Sequence, residues 1–181
     1  MDYKTLGYIK IILNEVSQKA AELYKKDFNE KDWTEKVKKT LQCVGKCNGF
    51  AVWGTGLDDP EWLIDVSWVP DGENWRTNFH GFTMACEIEW GRTDEHIRED
   101  FLKLTVVNAA LRVFIFTLRK GAKALDEFEK LQKMSAYTDD QIYLAIAVPI
   151  HVSKKLPKYL KGDNLPYCVW KTPFIQNTMQ P

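Results

Sequence analysis

The hydrophobic period of this chain changes near residue 50, and that change limits the fold more than any single motif. Before it, Leu6, Ile9, Leu13, Val16, Ala20 and Leu23 recur at steps of three and four. That spacing lines one side of a helix over residues 4–27. Residues 31–42 read as a second, shorter helix, with Asp32 as its cap and Glu35 completing a capping box. Residues 43–48 read as a turn region. From Phe50 onward the apolar runs are short, rich in aromatic and β-branched residues, and bounded by turn formers. Residues 50–54, 61–69 and 82–90 read as three strands of an antiparallel meander. A helix follows to about Thr105, capped by Thr93 or Asp94. Residues 111–117 then read as a strand, the stretch after Gly121 as a helix, and residues 141–148 as a strong strand. The tail from His151 is rich in Pro and Lys, with a small strand at 167–170.

The expected fold class is α/β. A central mixed sheet of about five strands is flanked by helices, in the order α-α-β-β-β-α-β-α-β. Residues 1–150 form one domain, and residues 151–181 an extension packed on it. With 181 residues the chain can bury a sizeable core. Lys+Arg and Asp+Glu are both 25, so no broad basic coat is available for nucleic acid, although a local basic cleft is. No apolar run is long enough to cross a bilayer, and the start lacks a basic-then-apolar leader. The expectation is a cytoplasmic protein with free thiols and no membrane partner. Cys43 and Cys47 have the spacing of half a zinc site, but Cys86 and Cys168 stand apart and supply no second half. Small buried hydrophobes are the preferred reading of the cysteines.

The chemistry lies in the acids of two strands. In MACEIEWG, residues 84–91, Ala85, Glu87 and Glu89 share one face, opposite Met84, Cys86, Ile88 and Trp90. In the strand 61–69, Asp65 shares a face with Leu63 and Ser67. If the two strands pair about a centre near residue 76, Asp65 stands opposite Glu87. Three carboxylates converging on one side of a sheet need a counter-charge. A hard divalent cation with oxygen ligands, most naturally Mg²⁺, supplies it. The plainer alternative pairs Asp65 with a local Lys or Arg and leaves the glutamates in water.

Asp65 followed after a hairpin-length gap by Glu87-Ile88-Glu89, together with the order of elements over residues 4–148, resembles the restriction-endonuclease-like PD-(D/E)XK superfamily. The resemblance implies that Asp65 and Glu87 bind Mg²⁺, with Mn²⁺ able to substitute and the Ile88 carbonyl as a further ligand. Glu89 stands where that family usually carries Lys, and Ile64 where it carries Pro. A lysine from the following helix is the alternative, and Lys103 fills that position. The family often adds an acid from the first helix, for which Glu15 is the first choice and Glu22 the second. Either also reads as a plain surface glutamate.

Lys36, Lys38 and Lys39, with Lys154, Lys155, Lys158 and Lys161, can flank a nucleic-acid cleft or simply form solvated faces. Gly54-Thr-Gly56 lacks the context of a phosphate loop. His80, His96 and His151 have no ligand spacing, although His80 precedes the acidic strand. The expected function is therefore a Mg²⁺-dependent endonuclease acting on phosphodiesters, with DNA favoured over RNA, as a homodimer or with a partner subunit where specificity requires one. The competing reading is a catalytically inactive binding or assembly module of the same fold. A metal-dependent phosphohydrolase of another fold is a third.

Overall fold

In the computed structural model of the chain, the helical and stranded parts meet at Gly49. Residues 1–24, 30–54, 63–70, 79–90, 93–119, 121–138, 140–149, 165–172 and 178–180 are described. Helices α1 (Tyr3–Tyr24) and α2 (Glu30–Cys47) come first, followed by strands β1 (Phe50–Gly54), β2 (Val66–Pro70) and β3 (Phe82–Glu89). Helix α3 (Asp94–Val106) leads to β4 (Ala109–Leu118), and α4 (Ala124–Ser135) to β5 (Ile142–Pro149). Strands β6 (Tyr167–Lys171) and β7 (Thr178–Gln180) close the order. Among the described residues the strands form one mixed sheet with spatial order β1-β2-β3-β4-β5-β6-β7. Strand β3 pairs in parallel with β4, and β4 with β5, while the outer pairs are antiparallel.

Two helical layers cover this sheet, and each follows from its connection. A strand–helix–strand crossover runs right-handed, so two successive crossovers stepping in one direction place both helices on one face. Thus α3 and α4 share a face, where Ile97, Phe101, Leu104, Phe128 and Leu131 pack with Phe114, Phe116 and Tyr143. The opposite face belongs to α1 and α2, whose apolar stripes pack on Val66, Trp68, Met84, Cys86 and Ile88. Strand β4, covered on both sides, is a nearly continuous apolar run, as parallel strands at the centre of a sheet are.

Helix α2 buries Trp33, Val37, Leu41 and Val44 at steps of four and three. It continues past the expected turn to Cys47 and begins at Glu30, so Asp32 lies inside its first turn and does not cap it. Gly45 explains the continuation. A Cβ there would lie 2.6 Å from both Trp68 Nε1 and Val52 Cγ2, so only glycine lets α2 rest on the sheet. The Trp68 indole N–H donates to the Leu41 carbonyl at 3.1 Å, locking the same contact. Gly49, at φ +77°, then turns the chain into β1.

The expected α/β order holds through β5. The tail is more than an extension: β6 and β7 join the sheet, and the Leu165 N–H donates to Ser17 Oγ on α1 at 3.0 Å. Cys86 and Cys168 are buried, as expected of small hydrophobes, but Cys43 and Cys47 are exposed on α2, and all four thiols are free. We predict that Gly45→Ala lowers stability by about 2 kcal/mol or more, because the clash with Trp68 exceeds the gain of about 1 kcal/mol in helix propensity. Urea unfolding followed by tryptophan fluorescence measures this.

Candidate functional site

Strands β2 and β3 pair through Val66↔Cys86, Ser67↔Ala85 and Trp68↔Met84. This register has the expected centre, and one step further would set Asp65 against Glu87. The ladder stops there. Residues 63–65 form a bend, and Ile64 turns into the α3 and α4 side of the core while Val66 faces the α1 and α2 side. Asp65 therefore does not stand on the face of Glu87 as an unbroken strand would place it. Its Oδ2 instead accepts the Ile88 backbone N–H at 2.9 Å, filling the place of the missing strand partner. The N–H and C=O of one residue in an extended strand point the same way, so the Ile88 carbonyl also faces this gap.

Four side chains converge on the gap from three directions. Lys38 reaches it from α2, with its Nζ 2.6 Å from Asp65 Oδ1, and both side chains are largely covered. Glu87 rises from β3 and is 3% exposed. Lys103 reaches it from α3, with its Nζ 4.0 Å from Glu87 Oε2, and it also pairs with Asp100 one helical turn away. Among these groups Glu87 is the anomaly. Its Oε1 is buried, with no hydrogen-bond partner among the described residues. Burial, and then the negative charge of Asp65, push its carboxyl from an ordinary value of 4.5 up to about 9, against the pull of Lys103. Glu87 thus holds a proton at neutral pH when no cation is bound. Burial also raises the Cys86 thiol well above its usual range, and the charges of Asp65 and Glu87 add to this, so that thiol is inert.

Helix α3 presents Lys103 and Asp100, and both of its ends are fastened. Thr93 caps the start, its hydroxyl accepting the His96 N–H at 3.4 Å. Arg112, buried on β4, closes the other end. Its Nε donates to the Leu104 carbonyl at 2.9 Å and its Nη1 to that of Ala109 at 2.6 Å, while Nη2 reaches the Val107 carbonyl. Burial raises Asp100, but hydrogen bonds from Glu89 and Lys103 outweigh it and hold the carboxyl below its usual range. Glu89 is therefore engaged with α3 through Asp100.

Of the expected site residues, Asp65, Glu87 and Lys103 come together, and Glu89 borders them. Glu15 does not join them in any described contact. It is half-buried on α1, and its Oε1 accepts a hydrogen bond from the neighbouring Asn14 at 3.4 Å. Glu22 pairs with Lys19 at 2.5 Å. Lys36 and Lys39 are exposed on α2, whereas Lys154, Lys155, Lys158, Lys161 and His151 lie outside the described residues, as does most of the polar stretch 70–81. His80 is exposed, and its carbonyl accepts from Asn108. Trp68 and Trp90 belong to the α1 and α2 core.

Sequence reasoning missed the roles of Lys38 and Asp100. A signal for Lys38 was available, since Thr34, Lys38 and Gln42 form a half-buried ridge at steps of four beside the stripe of Trp33, Val37 and Leu41. A lysine on such a ridge points along the edge of the core. Among the described residues, no three His, Cys, Asp or Glu side chains cluster as a metal cage. The oxygen donors at the gap are two carboxylates and a backbone carbonyl. That set is hard and anionic, and with the orphaned Glu87 oxygen it suits a divalent cation that keeps several waters. No family model, curated protein or solved structure matches this chain.

The shifted Glu87 has a measurable consequence. Between about pH 4.5 and 9 the unfolded chain ionises this carboxyl while the folded chain keeps its proton. Folded stability therefore falls as pH rises through that window. Glu87→Gln removes the penalty. In the absence of divalent metal it should be more stable than the wild type at pH 8 by roughly 1–3 kcal/mol, and the two should converge toward pH 4.5. Urea titrations across that pH range measure the difference.

Proposed function

We propose that this protein is a Mg²⁺-dependent endonuclease of the PD-(D/E)XK type that hydrolyses phosphodiester bonds in DNA. The observation that carries the reading is the buried Glu87 oxygen, without a hydrogen-bond partner among the described residues and set beside Asp65 where the β2–β3 ladder ends. A carboxyl kept in such a place lowers stability, and a cation-binding role explains it.

Asp65, Glu87 and the Ile88 carbonyl would hold the ion. When bound, Mg²⁺ supplies charge neutralisation at the phosphate and lowers the pKa of coordinated water. The chain's own groups do the rest. Lys103, half-exposed at the rim, offers its ammonium to a phosphate oxygen. Asp100 fixes the direction of that ammonium and ties Glu89 to α3. Glu89 thereby serves the site through Asp100 more than by facing a water. Lys36 and Lys39, on the solvent side of α2, are placed to meet neighbouring phosphates. By resemblance to the family, the product carries a 5′-phosphate.

One observation favours the inactive binding module as a second reading. Lys38 already offsets the negative charge of Asp65, and Glu87 keeps its proton, so the site is balanced without a metal. The two readings divide on cleavage. We expect the protein to nick supercoiled plasmid with Mg²⁺ or Mn²⁺, and the Asp65→Ala and Glu87→Ala variants to lose at least a hundredfold in rate. Because Glu87 must shed its proton to hold the ion, the rate should climb from pH 6 toward about 9. If the folded wild type cuts under none of these conditions, the binding module is the better description.

A further inference from the structure

Lys38 is unusual among the lysines of α2. Lys31, Lys36, Lys39 and Lys46 all point to solvent. The Lys38 side chain is only 11% exposed, and its Nζ lies 2.6 Å from Asp65 Oδ1. The other Asp65 oxygen accepts the Ile88 N–H, so both oxygens of this carboxylate are already engaged. A divalent ion held by Asp65 and Glu87 would lie close to the ammonium already paired with Asp65. In a largely covered gap the repulsion between the two cations disfavours holding both.

We propose that Lys38 is a built-in competitor for the metal position. Its ammonium occupies Asp65 when no ion is present, and it must swing away before a divalent cation loads. This rests on the metal-site reading above and adds a regulatory step to it. The released ammonium leaves from the same helix that carries the exposed Lys36 and Lys39. A phosphate chain lying along α2 offers it a new partner. Metal and nucleic acid then favour each other's binding, each stabilising the state in which Lys38 has left Asp65.

The test is Mn²⁺ binding to the full chain, without nucleic acid, by calorimetry and by electron paramagnetic resonance. Lys38→Met keeps the aliphatic stem and removes the ammonium. It should bind Mn²⁺ roughly tenfold tighter than the wild type. Lys46→Met removes the same charge from the outer surface of α2 and should change affinity by less than twofold. A second readout covers displacement itself. Amine-reactive labelling of the wild type, followed by peptide mass spectrometry, should find Lys38 protected without metal and several-fold more reactive with saturating Mn²⁺. This second arm needs no variant and stands even if Lys38→Met folds poorly. Unchanged or weaker Mn²⁺ binding in a folded Lys38→Met, or protection of Lys38 that persists in the loaded wild type, would overturn the proposal while leaving the metal site intact. Absence of Mn²⁺ binding in both the wild type and Lys38→Met would overturn the metal-site reading, and this proposal with it.

Discussion

The arrangement depends on where one ladder of hydrogen bonds stops. Strands β2 and β3 are antiparallel neighbours inside a sheet, and continuing their pairing past Val66↔Cys86 would give an ordinary covered strand. The chain bends at residues 63–65 instead, and the Ile88 N–H finds the Asp65 carboxylate. A side chain has replaced a backbone partner. That replacement leaves a break in the ladder where β2 begins and β3 ends, with polar backbone and carboxylates around it. Every charged group of the site is oriented toward it.

The energetics of the gap are those of charges placed together under partial cover. Burial penalises the ionised form of Glu87, and Asp65 adds its repulsion. Two lysines, from opposite helical layers, reduce the cost without removing it, since one Glu87 oxygen has no partner among the described residues. A purely structural acid of this kind would be expected to acquire a full set of hydrogen bonds. Arg112 shows what that looks like in the same protein. It is buried without a carboxylate, yet backbone carbonyls satisfy its guanidinium. Each guanidinium nitrogen of the buried arginine has a carbonyl partner, whereas one oxygen of the buried glutamate has none among the described residues.

Much of this was legible before the structure. The change of period near residue 50 marks the boundary between helices and sheet, and the element order through β5 follows from periodicity alone. The register of β2 on β3 follows from centring the polar connection between them, since a centre near residue 76 matches the observed pairs. Other features were hidden for physical reasons. Pattern reading extends strand 61–69 through Asp65 because alternation says nothing about a bend. Residues 43–47 of the turn expected at 43–48 are helix, because Gly45 serves close packing against Trp68 and marks no break. Lys38 was hidden among its neighbours, since its partner lies 27 residues away and only tertiary packing brings them together. Glu15 was chosen by resemblance to a family pattern, and nothing in the local sequence of α1 distinguishes it from other acids at a helix edge.

The contact of Gly45 with Trp68 has a further implication. It sets the separation between α2 and β2 by steric fit, and Lys38 and Asp65 are carried at fixed offsets from that point on the two elements. Packing thus brings the two side chains within reach of each other, and the ion pair forms within that reach. Chemistry and architecture are consequently separable here: the residues at the gap can be exchanged for others of similar size while the backbone that holds them keeps its place.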